Sequence, residues 1–425
     1  MLTRDLINNQ ASQCKRHVAE LAVILLVCLM GLLSCKKKGV LEDQPESPTS
    51  GSRMQFTLDS IFLYAKHTYL WKDALTDYYT FNPRKYTSAS SDLLNFKELV
   101  YDLSRPAINP LNLQPYEKTD FPGIAKYSYI AAGTGTSGNV AAVYPRIADQ
   151  QLAAALTDTR ISGHAAYLAL TEFAHLNTLK PILDQAFVGF ADAGVTTLVV
   201  DLRNNSGGYV ETAKYLANLM AKPAMNGQVM YSEHFNSEMQ QGKASILKKQ
   251  IYLDGNNQPV YLNGRLATYA DVDFSVSGNT YTFEKGVGLN QLSSIYFLVN
   301  GSTASASELL INALKPYFNV KLIGSKTYGK PVGSFGIKID QYTLYVSNFL
   351  IKNSRGKGDY FDGMPVDIAA DDASLGTGAE AILANTIALA SGKTVQRIGY
   401  TQKLEINTAP GLPNLMIKET LRLIR

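Results

Sequence analysis

The chain of 425 residues has three cysteines, Cys14, Cys28 and Cys35, and none beyond residue 35. This excludes disulfides, thiolate metal sites and a cysteine nucleophile from everything that follows. Histidine is scarce at five residues, and no two of them stand at zinc-protease spacing, so the sequence calls for no metal and no other cofactor. Formal charge is only +4, and no basic run is denser than Lys36-Lys37-Lys38, so there is no electrostatic footprint for DNA or RNA and no nucleic-acid partner is expected. The apolar run Leu21 to Leu33 is thirteen residues long, short of a comfortable bilayer span. What remains is an ordinary globular composition, 46% hydrophobic and 18% charged, long enough for about two to three domains at roughly 150 residues each.

The thirteen-residue run is preceded by Lys15 and Arg16 and ends in Leu32-Leu33-Ser34-Cys35, which fits a secretory h-region and resembles a bacterial lipobox. That resemblance implies a signal peptide over residues 1–34 and lipidation of Cys35. Removal of 1–34 takes away three basic and two acidic residues and leaves a net charge of +3. The expected location is the cell envelope, lipid-anchored and facing the periplasm or the outer membrane; an ordinary signal peptide cut elsewhere, or an uncleaved anchor, is the alternative. Residues 35–55 are rich in Lys, Pro, Ser, Glu and Gly, bury too little apolar surface to offset ordering entropy, and read as a flexible tether.

Residues 56–105 read as a small helical domain. Leu58, Ile61, Phe62, Ala65 and Tyr69 fall at helical spacing with Thr57 or Asp59 as cap, and a second helix runs from Ser91 to Leu103. Residues 106–160 form a connecting region in which Ala132 to Gly138 is a glycine-rich loop without the lysine of a phosphate loop. From residue 161 to 392 the pattern is α/β. A strand at Ala165–Phe173, a helix at Ile182–Ala191 and a strand at Thr197–Leu202 predict parallel pairing, and a helix with Val210, Ala213, Leu216, Ala217 and Met220 on one face follows. Residues 222–292 read as a β-rich insertion and candidate lid. The core then resumes with strands at Ile295–Val299, Val320–Ile323, Ile337–Ile339 and Leu344–Ile351, a helix from about Ser305 to Tyr317, and a last helix at Ala379–Leu389. Residues 393–425 form a polar, basic tail.

Three motifs inside this α/β region carry chemistry. The stretch Ser302 to Glu308, STASASE, puts Ser305 at the start of a helix directly after a strand, where exposed amides and the helix dipole favour developing negative charge. Ala306 N–H is then an oxyanion donor. Val199 to Gly208, VVDLRNNSGG, is a strand running into a glycine turn whose Gly207 or Gly208 supplies a second donor, because a residue without Cβ lets the backbone approach a substrate. Lys330, in TYGK, is the candidate base. It must be neutral to act, so its site must be dry, with Tyr328, Val332 and Phe335 as candidate walls. A serine at a helix start is also the commonest N-cap, and a glycine-lysine pair after a strand is also an ordinary solvated turn; the residues alone leave both pairs of readings open.

In that order, DLRNNSGG, STASASE and YGK resemble the C-terminal processing peptidases, the tail-specific proteases related to the tricorn core, over residues 161–390. The resemblance implies a crotonase/ClpP-like α/β spiral and serine endoproteolysis through an acyl-enzyme, with protein or peptide substrates. It assigns Ser305 as nucleophile, Lys330 as base and Ala306 as oxyanion donor, and gives Tyr360 to Asp367, YFDGMPVD, a structural role. Two departures stand out. Ser334 occupies the position where many members carry a glutamine that orients the lysine, and the connecting region has no room for the PDZ domain that such enzymes usually place there.

Three rival readings remain. His67, His164, His175 and His234 are the candidates for a histidine-based triad, though none sits in a catalytic box. The same fold could serve a catalytically weak lipoprotein that binds peptides or apolar ligands, or a non-peptidase acyl hydrolase. Oligomeric state is not encoded in any motif.

Overall fold

In this computed structural model, residues 46–119, 121–133, 155–254, 258–396, 416–417 and 421–424 are described. The leader, Cys35, much of the tether and most of the glycine-rich loop lie outside the described residues. Helix α1 (Arg53–Thr68) begins four residues before Thr57 and six before Asp59, and its cap is Ser52. Ser52 Oγ accepts from Gln55 N–H and Gln55 Oε1 accepts from Ser52 N–H, a reciprocal capping box. Asp59 instead binds Arg84 and Tyr78. Helix α2 (Asp92–Leu103) is capped by Ser91. Among the described residues no helix is long and apolar enough to cross a membrane.

The strands and helices that position the site follow in chain order: β1 (Tyr129–Ala132), β2 (Leu156–Ser162), β3 (Ala165–Leu170), α3 (Leu176–Asp192), β4 (Thr197–Asp201), β5 (Gly208–Tyr209), α4 (Val210–Met220), β6 (Val229–Phe235), β7 (Thr280–Thr282), β8 (Ser294–Val299), α5 (Ala306–Leu314), β9 (Asn319–Gly324), β10 (Val332–Gly333), β11 (Ile337–Ile339), β12 (Tyr342–Tyr345), β13 (Phe349–Asn353), β14 (Ile368–Ala369), α6 (Ala379–Ala390) and β15 (Met416–Ile417). The fold is mixed α/β. Its central six-stranded sheet has the order β14-β9-β8-β4-β3-β2, parallel throughout except for β2.

Both faces of this sheet are covered, as parallel strands require. Alternation along the strands sends Leu168, Leu198, Val200, Ile295 and Phe297 into the main core with α3, α4 and α5. Their neighbours Tyr167, Val199 and Leu298 point to the other face, where Ile382 and Leu383 of α6 cover them.

Beside the central sheet lie a four-stranded sheet, β7-β6-β13-β10, and a three-stranded one, β11-β12-β1, both antiparallel. The single strand expected over Leu344–Ile351 is therefore two strands in different sheets. A polar corner separates them: Ser347 Oγ donates to Glu117 and Asn348 donates to Thr68 C=O. The expected lid contributes β6 and β7 to the four-stranded sheet, and its Ile246, Leu247, Tyr269 and Phe274 are buried in the main core, the packing of a fixed wall. Leu58, Phe62 and Phe96 of the helical N-terminal segment belong to that same core, and Ser50–Arg425 form one compact unit.

Candidate active site

β4, β8 and β9 are adjacent and parallel, so the turns that leave their carboxyl ends emerge side by side. These are the three turns that hold the glycines, Ser305 and Lys330. Leu202 N–H bonds to Leu298 C=O, Thr303 Oγ1 donates to Leu202 C=O, and Tyr328 N–H bonds to Thr303 C=O, stitching turn to turn.

Ser305 does not cap its helix. An N-cap serine has extended backbone, whereas Ser305 has φ 63° and ψ −116°, a region that costs a residue with a Cβ about 1–3 kcal/mol. Its Oγ is buried and has no hydrogen-bond partner among the described residues. The hydroxyl thus sits strained and unengaged at the N-terminus of α5, next to Ala306 N–H, an amide with no acceptor inside its own helix.

The glycine turn lies directly against this corner. A Cβ on Gly207, whose φ is +105°, would stand 2.6 Å from Ser305 Cβ and 2.9 Å from Ala306 N. Asn205, buried in the same turn, fixes the approach: its C=O accepts from Ala304 N–H and Ser307 Oγ, and its Oδ1 accepts from Gly207 N–H at 2.9 Å. Gly207 N–H is therefore already used, so of the three amides expected from the sequence it is the one spent inside its own turn. Gly207→Ala is expected to lower kcat by about a hundredfold or more through displacement of Ser305, with KM changed less; steady-state kinetics on the folded variant measure it.

The residue that joins the candidate pair is Glu308, the last letter of STASASE, which the sequence reading passed over. It is fully buried, and its Oε2 accepts from Ser305 N–H at 3.1 Å and Lys330 N–H at 2.7 Å. Oε1 accepts from Thr327 Oγ1 at 2.6 Å and Gly329 N–H at 2.8 Å. One carboxylate so fixes the backbone of both motifs, and four donors satisfy it. Burial pushes its pKa up, and those donors pull it back.

Lys330 is buried, and burial draws its amine down to about 7, with the Glu117 and Glu308 carboxylates opposing the fall. Of the expected walls, Val332 and Tyr328 belong to one apolar cluster with Tyr127 and Phe361, and Tyr127 Oη donates to the C=O of Gly329 next to the lysine; Phe335 packs elsewhere, on Phe274 and Tyr269. Glu117 was also missed. It lies in the connecting region and is fully buried, and its carboxylate accepts from Tyr69, Ser128, Ser347 and the Tyr127 and Ser128 amides. Ser334 is buried just after β10.

YFDGMPVD braces the lysine turn: Met364 N–H bonds to Thr327 Oγ1, and a Cβ on Gly329 would meet Gly363 N at 2.3 Å. The histidines are engaged elsewhere, His67 with Glu238, His164 with Gly194 C=O, His175 at the start of α3 and His234 with Ser232. Among the described residues no group of acidic, histidine or cysteine side chains could hold a metal ion.

Residues 164–366 match the model of Peptidase family S41. The chain is 26% identical over 175 residues to the "Probable CtpA-like serine protease" of Staphylococcus aureus (strain N315), covering 41% of this chain and 27% of that protein. It is 24% identical over 201 residues to the carboxyl-terminal-processing protease of Synechocystis sp. (strain ATCC 27184 / PCC 6803 / Kazusa), covering 47% of this chain and 36% of that one. The chain thus spans about a quarter to a third of these relatives' length. Among solved structures, the photosystem II D1 C-terminal processing protease superimposes with a TM-score of 0.46 at 15% identity, over 79% of this chain and 97% of that one.

Proposed function

Taking as premise that residues 164–366 are a peptidase family S41 domain, we propose that this protein is a serine endopeptidase with Ser305 as nucleophile and Lys330 as general base. The observation that carries the reading is the shared Glu308 carboxylate, which ties a strained, unengaged serine at a helix N-terminus to a buried lysine poised near neutrality. Neutral Lys330 Nζ takes the proton of Ser305 Oγ as Oγ attacks the scissile carbonyl carbon. The negative charge that develops on the carbonyl oxygen is met by Ala306 N–H and the positive end of α5, with Gly208 N–H as second donor.

The Lys330 ammonium returns its proton to the leaving amine nitrogen as the C–N bond breaks, leaving an ester on Oγ. Water then attacks that ester with Lys330 again as base, and Ser305 is released. Substrates are proteins or peptides. The Leu21–Leu33 segment and Cys35 support placing the enzyme in the cell envelope, held by a lipid on Cys35.

The pH dependence tests the base. A lysine must lose its proton to act, so kcat/KM for a peptide substrate is expected to rise with pH through an apparent pKa of about 7 and to level above it. A rise centred near 10, the range of a free lysine, refutes a buried base. A well-folded chain that hydrolyses no member of a broad peptide pool at any pH, and whose Ser305 is not labelled by a small fluorophosphonate, refutes the peptidase and favours a binding protein.

A further inference from the structure

The two residues of β5 follow Gly207, and one edge of that strand is taken: Phe173 N–H bonds to Gly207 C=O at 2.8 Å and Tyr209 N–H bonds to Phe173 C=O at 2.9 Å. Since backbone groups alternate along a strand, the N–H and C=O of Gly208 face the opposite edge. That edge is not open. β15 pairs along it in parallel, Met416 opposite Gly208 and Ile417 opposite Tyr209.

Just beyond, the chain is tied down on the wall formed by residues 222–292. Leu421 is buried with its C=O accepting from Tyr252 Oη, Leu423 bridges to Val272, Asp273 N–H bonds to Arg422 C=O and Ile424 N–H to Asp271 C=O. An extended segment of the protein's own chain therefore lies on the strand that leads out of the oxyanion turn, one residue from the glycine in contact with Ser305. Ser305 and Lys330 are both buried in this arrangement.

We propose that Met416 and Ile417, anchored by Leu421–Ile424, are an intramolecular occupant of the peptide-binding edge, and that they hold the enzyme in a self-inhibited state which an extended substrate must displace. This rests on the peptidase reading of Ser305 and Lys330. An extended peptide added to a sheet edge gains main-chain hydrogen bonds irrespective of its sequence, so the tail and a substrate compete for the same edge of β5, and the tail must leave before Gly208 N–H can meet an oxyanion. A tethered competitor acts at an effective concentration on the order of millimolar, which raises the apparent KM of any free peptide without touching the chemical step.

The test uses the full chain carrying Ile417→Pro, which removes a strand N–H while leaving the Leu421–Ile424 anchor, and a second chain ending at Gly392. Peptide hydrolysis by Ile417→Pro is expected to show KM lowered about tenfold or more at unchanged kcat; unchanged KM overturns the proposal. Labelling of Ser305 by a small fluorophosphonate is followed in parallel, and its absence in every chain counts against the peptidase reading alone.

In that event, binding decides the inference. In a Ser305→Ala background, a labelled peptide of residues 411–425 is expected to bind the chain ending at Gly392 and the Ile417→Pro chain, and not the unmodified one. Binding to none of the three, or equally to all, overturns it. If the shortened chain does not fold, the Ile417→Pro chain carries both measurements.

Discussion

Ser305→Ala is expected to lower kcat for peptide hydrolysis by about 10⁴-fold or more while leaving the fold intact. The change removes only Oγ, an atom with no hydrogen-bond partner among the described residues, and keeps the Cβ that packs against Gly207. Stability should therefore stay the same or rise, since a buried unsatisfied hydroxyl is lost. Lys330→Met should be as inactive, and its stability has a sign of its own. Between pH 7 and 10.5 the unfolded chain holds the lysine proton and the folded chain does not, so stability of the natural protein rises with pH across that window. Below it the folded state bears the full cost of a buried ammonium. Lys330→Met removes that cost, so the variant should be stabilised by up to a few kcal/mol near pH 6 to 7, with the gain vanishing above about pH 10.5. Urea unfolding at several pH values, beside single-turnover kinetics, reads both effects. Retained turnover in Ser305→Ala sinks the nucleophile assignment, and equal destabilisation of Lys330→Met at every pH sinks the account of the base.

The second large effect belongs to Glu308. Glu308→Ala strands four buried donors, the N–H groups of Ser305, Gly329 and Lys330 and the hydroxyl of Thr327, and opens a cavity where the carboxylate stood. Each orphaned donor costs about 1–3 kcal/mol and such costs are not additive, so a net loss of about 3–5 kcal/mol is expected, with activity undetectable. Glu308→Gln keeps the shape and one acceptor oxygen but turns an NH₂ toward two donors. It should lose less stability and still lose kcat, because the two backbones are no longer held by one group. A stability loss under about 1 kcal/mol in Glu308→Ala, or near-normal kcat in Glu308→Gln, contradicts a linking role.

Glu308 also shows where sequence reading stopped. The letter was in view within STASASE, and a glutamate three residues past a serine is the familiar pattern of a capping box, so it carried no separate signal. Half of that box exists, Glu308 back to Ser305 N–H; the other half is abandoned because Ser305 takes a positive φ that directs its hydroxyl away from the cap position. Asn205 was likewise inside a recognised motif, yet its task of clamping Gly207 to the serine turn depends on two turns that are about 100 residues apart in the chain. Glu117 had no motif at all, and the donors to its carboxylate come from three separate segments, at Tyr69, at Tyr127–Ser128 and at Ser347.

From the order of residues alone came the parallel α/β core, since strands buried on both faces and separated by amphipathic helices leave few other solutions, and the three turns that hold Gly207, Ser305 and Lys330. Local rules suffice there, because period-2 and period-3.6 patterns are written in consecutive residues. Tertiary structure decided what the turns become together. It settled cap against unengaged hydroxyl for Ser305, gave Glu308 its two masters, put Glu117 beside the lysine, split Leu344–Ile351 between two sheets, and laid Met416–Ile417 on the edge of β5. Hydrogen-bond partners, desolvation and strand edges are properties of groups brought together from distant positions, and no window of consecutive residues contains them.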